Sequence, residues 1–128
     1  MPGSRTKVKE KEVLMRYRSL LKVYGHIHPA DATLFSALKD ACAAALPDND
    51  DIPLLEQEGD LVRISFEGAF FPVEEVLAAV QTRLLPEHQG RLDVLDMDAW
   101  RLVRHVFRAG RVESRSGSLN QVLEYSGH

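Results

Sequence analysis

The side chains with the clearest chemical potential are two sets of basic residues, one near each end of the chain. Four of them fall on one flank of a predicted first helix: Lys7, Lys11, Arg18 and Lys22. The second set lines a predicted fourth helix, with Trp100 at its border, and continues beyond it: Arg101, Arg104, Arg108, Arg111 and Arg115. Lysine and arginine neutralise phosphates and carboxylates, and an aromatic ring can stack on a base. These are therefore the predicted binding residues.

The same basic residues could instead form ordinary solvated faces of helices. Charge is segregated along the chain, with +5 over residues 1–24, −11 over 25–99 and +3 over 100–128, giving a net charge of −3. The acidic middle offers intramolecular partners to both basic sets, and charged solvated faces are common without any ligand. A binding role therefore competes with a purely structural one.

Motifs for nucleotide, zinc and hydrolase chemistry are absent from the sequence. It contains no glycine-rich phosphate loop, no H-E-x-x-H and no G-x-S-x-G. His26 and His28 are the best metal-like pair, but a structural zinc site normally needs four ligands. The short acidic runs lack the glycine and the acidic residue that a calcium-binding EF-hand loop requires. The sequence therefore predicts no catalytic residue, no cofactor and no metal.

Two further groups could carry nucleophilic chemistry. Cys42 is the only cysteine and lies among alanines on an apolar helix face, so a buried, inert thiol is predicted. Ser114 and the two serines that follow it lie close to His105 in sequence, without an orienting acid at a recognisable spacing. The sequence therefore favours a non-enzymatic role over catalysis.

The elements that must position these residues begin with a predicted helical hairpin. Residues 1–6 show no periodicity and are predicted to be a flexible leader. From Lys7 to Tyr24, apolar residues recur at three- and four-residue steps, which predicts a helix ended by Gly25. Asp31 is then predicted to cap a second helix that ends at Pro47.

The middle of the chain predicts a small β-hairpin followed by a third helix. Residues 52–67 have strand composition, with Gly59 at the turn. Pro72 suits the first position of a helix that Gly90 helps to close. The stretch 91–95 is compatible with a third strand, short and at the edge of the sheet.

The C-terminal part predicts more helix. A fourth helix capped by Asp96 or Asp98 is predicted to run to about Arg108. For residues 111–126 two interpretations stay open, a short helix at 118–126 or a hairpin. The predicted fold is thus α+β: a helical hairpin, a small antiparallel β-hairpin with a possible third strand, and two or three further helices, packed in layers as a single domain over 7–128.

The predicted core combines apolar residues from these elements. They are Leu34, Phe35, Leu38, Val62, Ile64, Phe66, Val76, Leu77, Val80, Val106 and Phe107. No apolar run approaches the length of a membrane-spanning helix, and no signal peptide is recognisable, so a cytoplasmic location is expected.

Three functions are compatible with these features. The first is an adaptor or regulatory domain whose basic helix faces bind another protein with an acidic surface, or a second copy of the chain. The second is a nucleic-acid-binding module built on the arginine-rich helix and the short helix after it. The third is an enzyme acting on a small molecule through carboxylates and histidines that converge only in the folded chain.

Overall fold

Most of the described chain consists of strands whose side chains alternate between two faces of one sheet. The computed structural model describes residues 20–48 and 51–120. The elements along the chain are β1 (Leu21–His28), α1 (Ala32–Ala41), β2 (Leu46–Pro47), β3 (Leu55–Glu58), β4 (Leu61–Phe70), α2 (Val73–Arg83), β5 (Gln89–Asp96), β6 (Arg101–Arg108) and β7 (Arg111–Ser118). No helix within these ranges is long and apolar enough to cross a membrane.

The strands form one antiparallel sheet in the order β2-β4-β1-β5-β6-β7, with β3 also paired to β4. β1 lies between β4 and β5 and is antiparallel to both. The chain therefore passes over β1 as it runs from β4 through α2 to β5. The last three strands are joined by short turns as a meander.

Both helices pack on the same face of the sheet. Leu34 and Leu38 of α1 and Val76 and Val80 of α2 are buried in one cluster with the strand residues. On the strands, the buried members of this cluster are Val23, Ile27, Val62, Ile64, Phe66, Leu92 and Phe107. Because burying such a side chain stabilises by roughly 1.5–3 kcal/mol, this cluster is the main source of folding free energy.

Two of the predicted helices are present, although the first of them is shorter than predicted. Asp31 caps α1, and its Oδ1 accepts a hydrogen bond of 2.8 Å from the backbone N–H of Leu34. The helix ends at Ala41 and continues as a 3₁₀ turn over Cys42–Ala44, so it stops before Pro47. In α2, Glu74 and Glu75 occupy the first turn, where the helix dipole favours negative charge.

The predicted hairpin is confirmed, and a second hairpin lies further along the chain. β3 and β4 turn at Gly59, whose φ of 60° suits glycine. β6 and β7 turn at Ala109 and Gly110, with φ values of 53° and 72°. Two positive φ angles in a two-residue turn match the twist of antiparallel strands.

The predicted helical hairpin is wrong. Leu21 to Tyr24 belong to β1, and the rest of the predicted first helix, residues 7–19, lies outside the described residues. In β1, Val23 and Ile27 face the helices while Lys22 and Tyr24 face away, which is the period of a strand. Apolar residues at steps of three and four also satisfy part of a strand pattern, so spacing alone misassigned this segment.

The predicted fourth helix is also wrong, because Arg101–Arg108 is strand β6. Its apolar residues occur in adjacent pairs, a spacing that fits one face of a helix as well as both faces of a strand. The stretch 91–95 is a strand as predicted, but it lies inside the sheet between β1 and β6. Residues 111–118 form β7, and 121–126 lie outside the described residues. The fold is therefore mostly antiparallel sheet with two helices.

The core prediction is largely confirmed. Eight of its residues belong to the buried cluster: Leu34, Leu38, Val62, Ile64, Phe66, Val76, Val80 and Phe107. Phe35 and Leu77 are partly buried and pack against it. The prediction that Val106 lies in the core is wrong, because β6 is a strand and Val106 projects from the face opposite Phe107.

Candidate binding face of the sheet

The face of the sheet opposite the helices carries a concentration of arginine side chains. Arg91 on β5 pairs with Val106 of β6, and on the next strand pair Arg104 is opposite Arg115 and Arg108 opposite Arg111. Since opposite residues in an antiparallel pair share a face, all five arginines project from the same side. We call these residues the basic sheet face: Arg91, Arg104, Arg108, Arg111 and Arg115.

Asp93 holds the centre of the basic sheet face. Its side chain is largely buried and accepts two hydrogen bonds from Arg104, at 2.8 Å to Nε and 3.0 Å to Nη2. Arg91 approaches the same carboxylate at 3.8 Å. The hydrogen bond to Asp93 raises the pKa of Arg104 against the opposing effect of burial. One carboxylate thus orients the guanidinium of Arg104 and lies within ion-pair distance of Arg91, so a single negative charge faces two positive ones.

The other ion pairs on this side of the sheet are half-buried or exposed. Arg108 bonds Glu113 at 3.1 Å, and Lys22 lies 3.5 Å from Glu67. Tyr24 donates a hydrogen bond of 3.0 Å to Glu67, and its pKa is raised by burial, by this bond and by the carboxylate charge. Exposed pairs contribute only about 0–1 kcal/mol each, so a partner can replace them at little cost.

Two open depressions lie on this face beside β1. One of about 390 Å³ is lined by Tyr24, His26 and Arg91, among others, and one of about 530 Å³ by His26, His28 and Arg91 with arginines of β6. His26 borders both. Burial first and the charge of Arg91 second lower the pKa of His26 below its ordinary 6.5, which favours the neutral ring at pH 7. The positive charge here comes from arginine.

The structure divides the arginines that the sequence grouped on one helix. Arg104 and Arg108 lie on the basic sheet face, but Arg101 projects from the opposite side because strand residues alternate. Trp100 lies in the turn before β6 with φ 56°, and its Nε1 donates a hydrogen bond of 2.8 Å to Asn120. Lys22 lies on the same side as Arg104, but on β1, which is separated from β6 by β5.

Three predicted residues lie outside the described residues: Lys7, Lys11 and Arg18. Sequence reasoning missed Arg91 and Asp93, whose roles depend on register with β6. The only signal in the sequence was the strand composition of 91–95, which places Arg91 and Asp93 on one face of a strand.

The remaining candidate residues, Cys42 and the two histidines of β1, lie in environments that do not support reactive or metal-binding chemistry. Cys42 is buried, and burial raises the pKa of its thiol to about 11, which suppresses the reactive thiolate. His26 and His28 share a face of β1, but no group of three or more His, Cys, Asp or Glu is placed to hold a metal within residues 20–48 and 51–120.

His105 and Ser114 meet across β6 and β7, with 2.7 Å between Nδ1 and Oγ. They lie on the helix-bearing side of the sheet, whereas Asp93 projects from the other side and hydrogen-bonds Arg104. A serine nucleophile normally needs a histidine that a third group orients. The pair therefore does not reproduce a catalytic triad.

The buried His105 predicts a loss of stability in acid. Burial lowers its pKa below the ordinary 6.5, with a smaller opposing effect of Asp93. As pH falls through 6.5, the unfolded chain takes up this proton first, so the free energy of unfolding decreases until the folded-state pKa is passed. Urea unfolding at pH 7 and pH 5 should therefore show a smaller decrease for His105→Gln than for wild type. Equal decreases would contradict the assignment.

A scan against protein-family models finds no match for this chain, and searches of the curated proteins and of the solved structures also find none. A function for this chain must therefore be inferred from the geometry of the basic sheet face.

Proposed function

We propose that this chain is a non-enzymatic adaptor or regulatory domain that binds an acidic surface of another protein through the basic sheet face. The observation that carries the proposal is the register that brings Arg91, Arg104, Arg108, Arg111 and Arg115 to one side of three neighbouring strands. Hydrogen-bonded strands fix the spacing of these side chains, so the surface is organised before a partner arrives.

Carboxylates are the groups that this surface is best suited to bind. Arg104 donates two parallel hydrogen bonds to Asp93, which is the bidentate geometry in which guanidinium groups recognise carboxylates. Arg111 and Arg115 are exposed on β7, and Arg91 shares Asp93 with Arg104. An acidic segment lying across β5, β6 and β7 could pair with Arg91, Arg111 and Arg115.

The interleaved negative charge favours a protein over a nucleic acid. Asp93 and Glu113 lie among the arginines, and the whole chain has a net charge of −3. A phosphate backbone presents uniform negative charge and would be repelled by both carboxylates. A protein surface can place acidic groups opposite the arginines and neutral or basic groups opposite Asp93 and Glu113.

A charge-reversal experiment tests the proposal. We expect tagged wild-type protein to retain a nuclease-resistant protein from cell extract at low salt, and Arg91→Glu/Arg108→Glu/Arg111→Glu to lose it. The matched control is Lys39→Glu/Arg83→Glu/Arg101→Glu, which makes the same change in net charge away from this face. Arg104 is left intact because Asp93 depends on it.

A defined probe makes the comparison quantitative. A fluorescent peptide rich in aspartate and glutamate should bind the face variant at least about tenfold more weakly than the control variant, because three favourable charge contacts become repulsive. Equal loss in both variants would reject the basic sheet face as the binding surface. Retention that depends on nuclease-sensitive material, with tighter binding of single-stranded DNA than of the peptide, would assign the face to nucleic acid instead.

A further inference from the structure

We propose that two copies of this chain join through the outer edges of β7, antiparallel and centred on Ser114, to form one continuous sheet. β7 is the last strand of the sheet, and none of the strands within residues 20–48 and 51–120 pairs with its outer edge. Its residues Arg111, Glu113, Ser114, Arg115 and Ser116 are exposed. An exposed edge of this length presents backbone groups that can pair with another strand.

The turn before β7 determines which backbone groups face outward. The two-residue turn makes Arg108 and Arg111 the closing pair of the hairpin, and such a pair exchanges both backbone hydrogen bonds. Glu113 and Arg115 then also bond to β6, because bonded pairs alternate along an antiparallel ladder. Val112, Ser114 and Ser116 therefore point their N–H and C=O groups away from the sheet.

The outward groups limit the registers that two copies can adopt. They can pair only if the symmetry axis lies midway between the two copies of one residue, so that this residue is opposite itself. An axis at a point between two successive residues would set outward groups against inward ones. Centring on Ser114 pairs residues 111–117 of each strand and sets Ser114 against itself and Val112 against Ser116 of the second copy. Every bonded pair then consists of residues with outward backbone groups.

Charge selects this register among those that overlap well. Centring on Ser114 places Glu113 opposite Arg115 of the second copy, and the symmetry repeats this contact. Centring on Glu113 would oppose Glu113 to itself and Arg111 to Arg115, and centring on Arg115 would oppose two arginines. Centring on Val112 also pairs opposite charges, but it leaves only residues 111–113 of each strand in contact. Opposite charges directly across a ladder stabilise it, and like charges destabilise it.

The surrounding residues are compatible with this contact. Glu113 and Arg115 would form a non-bonded pair, in which side chains approach most closely. Glu113 accepts a hydrogen bond of 3.1 Å from Arg108 of its own chain, so its carboxylate would lie between two arginines. Ser114, Ser116 and Gly117 are small enough to allow close approach. Charged residues on an edge usually prevent pairing, but this order of charges favours the register centred on Ser114.

The symmetry of this contact extends the basic sheet face. An axis perpendicular to the sheet keeps each face of the sheet on its own side, so the arginines of both copies would form one surface. The dimer does not depend on the proposed partner, and it can be measured with the purified chain alone.

Sedimentation of charge-swap variants tests the proposal. We expect wild type to show a concentration-dependent monomer–dimer equilibrium. Glu113→Arg and Arg115→Glu should each weaken the dimer about tenfold, because both symmetric contacts become repulsive. The double variant Glu113→Arg/Arg115→Glu should restore wild-type association, since it exchanges the two charges. Arg111→Glu is the control, because in this register Arg111 lies opposite Gly117 and association should not change.

Two measurements keep the test independent of folding defects. Ser116→Pro removes an outward N–H that β6 does not use, so it should abolish the dimer while circular dichroism stays unchanged. Amide exchange at Val112, Ser114 and Ser116 should slow as protein concentration rises, whereas Glu113 and Arg115 should be protected at every concentration. A wild type that sediments as a monomer up to millimolar concentration, or a double variant that stays weakened, would overturn the proposal.

Discussion

Replacing Gly90 with alanine is expected to lower the free energy of unfolding by about 3 kcal/mol, because the new methyl group cannot fit between β1 and β5. A Cβ at this position would overlap the carbonyl oxygen of His26 and lie 2.8 Å from the Cα of Ile27. Both obstacles are backbone atoms of β1, so the strands themselves must separate. Urea unfolding followed by circular dichroism measures the effect.

Gly59→Ala is the matched control for this substitution. Gly59 has a φ of 60° and nothing within 4 Å of a Cβ, so alanine there meets only backbone strain. We expect a cost of about 1 kcal/mol, the penalty of a left-handed conformation for an L residue. If Gly90→Ala were no more destabilising than Gly59→Ala, the result would contradict the close approach of β1 and β5 at Gly90.

Replacing Leu38 with alanine should also destabilise the chain by about 3 kcal/mol, because it leaves a cavity between α1 and the sheet. Leu38 has 0% exposure and belongs to the buried cluster. Its neighbours come from two layers of the fold, so they cannot all move to fill the space. Thermal and urea unfolding of the variant measure the loss.

Leu46→Ala is the corresponding control, since Leu46 on β2 is 56% exposed. A surface truncation of this kind is expected to change the free energy of unfolding by less than about 0.5 kcal/mol. Similar losses for Leu38→Ala and Leu46→Ala would show that α1 does not pack as described.

These stability variants also serve the functional proposals. The basic sheet face exists only because the pairing of β5, β6 and β7 keeps Arg91, Arg104 and Arg108 on the same side of the sheet as the arginines of β7. A variant that unfolds the sheet would lose binding for a trivial reason. Charge reversals at exposed positions avoid this problem. Unfolding measurements on each charge-reversal variant should show that it has not lost stability on the roughly 3 kcal/mol scale expected for core variants.

The sequence was sufficient for features that depend on neighbouring residues. Asp31 and the apolar spacing after it predicted α1, because a cap and i, i+4 contacts lie within one helix. Pro72 and the two glutamates after it marked α2 in the same way. Gly59 between two stretches of strand composition predicted the β3–β4 hairpin, whose contacts are also local.

Tertiary structure decided everything that depends on distant pairing. β1 and β6 carry apolar residues whose spacing fits a helix as well as a strand, and only pairing with strands remote in sequence makes them strands. The basic sheet face follows from that pairing. A helical wheel groups Arg101 with Arg104 and Arg108, whereas the strand period separates Arg101 and the register brings in Arg91 and Asp93. The residue types were visible in the sequence, but which of them share a surface depended on register, which is set by contacts across the whole sheet.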